Sequence, residues 1–160
     1  MKRASIIIIA LLISHTTFSK NAISNFRDYY YGVCLSEVSI HEFDTYLALH
    51  ENSENIAVKG YQSVIWFLWA DYYVNPLKKW KCYSKGVIKL DQLIESYPDH
   101  LELRFLRLTI QDNVPKYLGY NMNLIEDENF IHKSLNKIKD KDLKKRITDY
   151  LCYNSIAKIK

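Results

Sequence analysis

"NPLKKWKCYSKGVIKLDQLIESYP", residues 75–98, decides the fold. Trp80, Tyr83, Val87, Leu90, Ile94 and Tyr97 advance by three and four residues in alternation. At about 100° per residue that spacing draws one apolar stripe down a helix. Asn75 precedes Pro76, and proline favours the first helical position because its missing N–H has no partner there anyway. Pro98 ends the run, since the residue before a proline avoids the α region.

The same period continues on both sides. Within 54–73, Tyr61, Ile65, Leu68 and Tyr72 share a face, and Val64, Trp66, Phe67 and Trp69 widen it almost all round. A turn apolar on every side belongs in the middle of a domain. Ile23, Phe26, Tyr30 and Val33 give an earlier stripe, and Ile40, Phe43, Leu47 and His50 another. Ile131, Leu135 and Ile138 mark a helix, 139–142 a polar turn, and Leu143, Ile147, Tyr150, Leu151 and Asn154 a partner helix. That end reads as an αα-hairpin. With 101–113 the expectation is about seven helices and no sheet, joined by links short enough to make neighbours antiparallel. Four glycines and three prolines are too few for the turns of an all-β chain. The expected class is all-α, with antiparallel hairpins stacked into a bundle.

The N-terminus reads differently. Lys2 and Arg3 precede ten apolar residues, Ala4 to Ile13, and Thr17 and Ser19 are small residues ahead of Lys20. This is the plan of a secretory signal peptide over 1–19. Ten apolar residues fall short of the roughly 20 that a transmembrane helix needs. The expected mature chain is 20–160, one α-helical domain with no transmembrane segment, periplasmic or extracellular. Loss of Lys2 and Arg3 takes the net charge from +4 to +2. So mixed a composition argues against nucleic acid, which selects a concentrated basic footprint. Cys34, Cys82 and Cys152 form no dense framework, and the expectation is three small buried apolar groups.

"LRFLRLTIQDNVPKYLGY", 103–120, raises the functional question. On a wheel, Arg104, Arg107 and Gln111 make a narrow polar ridge between two apolar flanks. A guanidinium there requires a partner. Glu102 lies on the wrong side, so Asp71, Asp91 and Glu95 are the candidates. The ridge is expected to be a structural ion pair, with a carboxylate or anion clamp as the alternative. Asn113-Val114-Pro115 ends the helix, and Tyr117 and Tyr120 flank Gly119 in the following loop. Arg104, Arg107, Asn113, Tyr117 and Tyr120 form the candidate binding site. The off-stripe Tyr29, Tyr31 and Tyr73 join Tyr117 and Tyr120 as candidate contact residues, because tyrosine brings large area and a polar tip.

No catalytic or metal-ligating motif occurs: the histidines outside the leader have no i, i+3 or i, i+4 pairing, and H-E-x-x-H, G-x-S-x-G and phosphate-loop patterns are missing. Neither a metal nor a cofactor is expected. His41, Glu42 and Asp44 read as a solvated helix face, and Glu126-Asp127-Glu128 as acids at a helix start.

"KLDQLIESYPDHLELRFLRL", 89–108, resembles the junction between two tetratricopeptide-type repeats. The wider pattern, "FRDYYY" at 26–31, "NPLKKWKCYSKG" at 75–86 and "ELRFLRLTIQDNVPKYLGY" at 102–120, resembles an uncharacterised family of small exported helical proteins. Both resemblances imply a helical, repeat-like interaction module. The expected function is therefore an exported, non-enzymatic module that binds a protein or peptide of the cell envelope. The alternative is a small-ligand or anion binder using Arg104 and Arg107.

Overall fold

The computed structural model describes residues 23–157. The leader expected at 1–19 lies outside them. Seven α-helices and no strand occur among the described residues. They are α1 (23–34), α2 (Ile40–Ala48), α3 (Ile56–Tyr72), α4 (Pro76–Ser96), α5 (Leu101–Asn113), α6 (Leu124–Ser134) and α7 (Lys141–Ala157). Single 3₁₀ turns, Lys116–Leu118 and Leu135–Lys137, follow α5 and α6. No helix is long and apolar enough to cross a membrane.

Local chemistry sets the boundaries. Ser39 caps α2 in a full capping box with Glu42. Asn55 Oδ1 accepts from Ala57 N–H at 2.9 Å to start α3. Asn75 Oδ1 accepts from Leu77 and Lys78 N–H, with Pro76 at the first position of α4. Asp140 Oδ1 accepts from Asp142 and Leu143 N–H at the head of α7.

The chain divides into two compact units, Met1–Tyr61 and Gln62–Lys160. In the first, Phe26, Phe43 and Tyr61 form an aromatic core with ring centroids 6.1 and 6.4 Å from Tyr61. In the second, α5 packs chiefly on α6 and less on α4, as in a bundle. Leu90, Leu103, Leu106, Ile131 and Ile147 fill its interior. Gly86 lets α4 close on Phe67: a Cβ there would sit 2.8 Å from the ring.

Two expectations need correction. The helix marked by Ile131, Leu135 and Ile138 is α6, which starts at Leu124 and ends at Ser134; Ile138 lies beyond the 3₁₀ turn in extended backbone. Of the cysteines only Cys82 is buried, while Cys34 and Cys152 sit at exposed positions.

Candidate functional site

From Glu102 to Gln111, α5 is buried at every position except Arg104, which is half-buried. Its polar ridge therefore has to be matched from within, and α6 does this. Arg107 grips Asp127 with two bonds, Nε to Oδ2 at 2.6 Å and Nη2 to Oδ1 at 2.9 Å. Arg104 Nη1 donates to Asp127 Oδ1 and Glu126 Oε1, both at 2.7 Å. Its Nε donates to the Pro98 carbonyl at 2.8 Å. Asp127 is fully buried, so one carboxylate accepts three charge-assisted bonds from two guanidinium groups.

The partner sought for Arg104 is Asp127 with Glu126, residues that the sequence suggested only as acids at a helix start. Of the other candidates, Asp91 reaches Arg107 Nη1 at 3.5 Å, and Asp71 and Glu95 pair with neither arginine. Burial on its own pulls both arginines down; the bonds to Asp127 and the surrounding carboxylates outweigh it and leave them raised. The Arg104 guanidinium holds Glu126 below the usual carboxylate range. Two cations thus meet three carboxylates. An incoming anion would have to displace the buried Asp127 and would meet acid already in excess.

Asp91 leads out of this seam. It accepts the Tyr120 hydroxyl at 2.8 Å. The Tyr120 ring stacks on Phe67 at 5.9 Å and meets Tyr83 edge-on at 6.4 Å. Burial first, and then the Asp91 charge, push the Tyr120 phenol well up. Gly119, with φ +70°, turns the chain so that Tyr120 points back to α4.

A groove of about 290 Å³ runs where α4 meets this turn, walled by Trp80, Val87, Ile88, Leu118 and Tyr120. Tyr83 also lines it, and its buried hydroxyl has no partner among the described residues. Burial, then Asp91, raise that phenol, so it stays a hydrogen-bond donor. A second depression, about 380 Å³ in the first unit, is lined by Tyr29, His41, Thr45 and Tyr46. It is larger, but the Thr45 hydroxyl is spent on the His41 carbonyl and the Tyr29 ring on Tyr46.

The structure therefore gathers Arg104, Arg107 and Tyr120 into one network through Asp127 and Asp91. Asn113 stands apart, its amide donating to the Thr109 carbonyl at 2.8 Å, and Tyr117 is 86% exposed. Among the off-stripe tyrosines, Tyr29, Tyr31 and Tyr73 are half-buried and Tyr120 is buried. Gln111, the third member of the ridge, is buried with neither amide atom hydrogen-bonded among the described residues. No cluster of His, Cys, Asp or Glu among the described residues is placed to hold a metal. Comparison of the chain with protein-family models, with curated proteins and with solved structures finds no match.

Proposed function

We propose that the chain is an exported, non-catalytic helical protein that binds a protein or peptide of the cell envelope through the groove between α4 and the 116–120 turn. The observation that carries this reading is the apolar groove itself, walled by Trp80, Val87, Ile88, Leu118 and Tyr120 beside the Gly119 turn. Burying apolar surface there is favourable. A partner's apolar side chain would fill the groove beside Ile88 and Leu118. The leader over 1–19 supports export, and the Arg104–Arg107–Asp127 seam serves as the support that holds Asp91, and through it Tyr120, against the groove.

A photo-crosslinking side chain at Ser84, which lines the groove, tests this. It should join the chain to one defined polypeptide in envelope material. Ile88→Asp should cut the yield severalfold with unchanged helicity by circular dichroism. A yield indifferent to that substitution would sink the reading.

A further inference from the structure

The corner between α3 and α4 carries a second surface, separate in chemistry from the groove. Val74 is 94% exposed, Leu77 78% and Trp80 60%, and Tyr72 stands exposed beside them. Residues 72–90 contain Lys78, Lys79, Lys81, Lys85 and Lys89 and no acid. No carboxylate pairs with any of these lysines among the described residues. Lys79 reaches only the Asp71 carbonyl at 3.4 Å, while Lys78 and Lys85 lie over the rings of Tyr73 and Trp66. The chain is mixed in charge by count, but not by place.

The placement runs against local helix energetics. Lys78 and Lys79 occupy the third and fourth positions of α4, and the first turn holds no acid. A helix N-terminus is already positive, so cations there are unfavourable. A ring and one long carbonyl contact are all that Lys78 and Lys79 find, and a local rule broken without an ionic partner among the described residues points outward. On the wheel, Lys78, Lys81, Lys85 and Lys89 form one row, and Leu77, Trp80 and Ile88 form the exposed apolar row beside it. Exposed aliphatic groups, a tryptophan and a collar of unpaired lysines match a surface that is apolar within and negatively charged at its face. Nucleic acid would leave Val74 and Leu77 in water.

We propose that the α3–α4 corner docks the protein onto a bilayer bearing anionic phospholipid. Val74, Leu77 and Trp80 enter the headgroup layer, and Lys78, Lys79 and Lys81 meet the lipid phosphates. The groove shares Trp80 with the corner, but Val74, Leu77, Lys78 and Lys81 do not line it, so variants at those four positions test the corner alone.

Co-sedimentation of the full chain with vesicles of phosphatidylcholine, alone or mixed with phosphatidylglycerol, tests it. The N-terminal apolar segment is common to all variants, so only differences between them are read. The wild-type chain should bind the mixed vesicles far better than the neutral ones, with a blue shift in tryptophan emission that Trp80→Phe removes. Each lysine at an anionic surface is worth about fivefold, so Lys78→Gln with Lys81→Gln should weaken binding about thirtyfold. Val74→Asp with Leu77→Asp should weaken it at least as much, and neither pair disturbs a buried side chain. Equal binding by wild type and both variants overturns the proposal. So does indifference to phosphatidylglycerol. A wild-type chain that ignores every vesicle would make the corner a protein-docking surface and overturn it too.

Discussion

Two groups of cations sit on neighbouring helices of the same unit and meet opposite fates. On α5, Arg104 and Arg107 face three carboxylates at 2.6–3.5 Å, one of them fully buried. On α4, five lysines face none among the described residues. The side-chain chemistry suits each setting. A guanidinium is weakly hydrated and forks onto a carboxylate; an ammonium is strongly hydrated and stays in water. The arginines bind the bundle to itself, and the lysines remain available to something outside it. The sign of a charge does not separate these roles. The presence of a matching acid within reach does.

The sharpest way to break this contrast is to remove Asp127. Asp127→Ala leaves two guanidinium groups at the seam, with only Glu126 and Asp91 in reach. Breaking a buried pair from one side costs about 3–5 kcal/mol. Urea denaturation should show the unfolding free energy lowered by that much, with the midpoint shifted down accordingly. The triple change Arg104→Met, Arg107→Met and Asp127→Leu should recover most of the loss, because exchanging a whole buried ion cluster for apolar groups of similar volume is close to neutral. Failure of the triple variant to recover would give the seam a role beyond holding α5 to α6.

Gln111 offers a smaller test on the same ridge. Its amide is buried and unbonded, and an unsatisfied polar group costs about 1–3 kcal/mol. Gln111→Leu should therefore raise the melting temperature by an amount corresponding to about 1–2 kcal/mol. A destabilised variant would mean that the amide finds a partner that the described residues do not include.

Much of the seam was legible in the sequence. The arginine spacing between two apolar flanks required an inward partner, and the paired prolines bracket α4 where it is found. The identity of the partner was not. Asp127 lies 20 residues beyond Arg107, in the first turn of a helix where acids are explained by the helix dipole alone. With α6 beginning at Leu124, Asp127 and Ile131 share its buried face, an acid in an apolar stripe. That is the pattern to seek opposite a cationic ridge. The lysine row escaped for another reason. A total charge averages over the chain, while a window of 72–90 contains five lysines and no acid. The groove required the fold, since Gly119 and Tyr120 reach α4 only once the turn closes.

The lysines themselves sharpen the comparison at a lower energy. If they serve an external surface, the fold does not need them. Lys78→Gln with Lys79→Gln should raise stability by about 0.5–1 kcal/mol, because each removes a cation from a positive helix end. Loss of stability instead would place these lysines alongside the arginines, as part of what holds the bundle together.

The start of α5 supplies the finest version of the same contrast. Where α4 opens on lysines, α5 opens on His100, whose Nδ1 accepts the Leu103 N–H at 3.4 Å, with Glu102 in the first turn. Burial lowers the His100 pKa below its usual 6.5, against the upward pull of Glu102. A proton on Nδ1 would end the cap and place a cation at a positive helix end. Well above pH 6.5 the ring is neutral in both folded and unfolded chains, and stability from this group is flat. Below that value the unfolded chain takes up the proton first, so stability falls as the pH drops until the folded ring also titrates. The long cap bond keeps the effect below the usual capping value of about 1 kcal/mol. His100→Asn, which caps without titrating, should flatten the fall in stability that begins as the pH drops through 6.5, and an unchanged pH–stability curve would remove His100 from it.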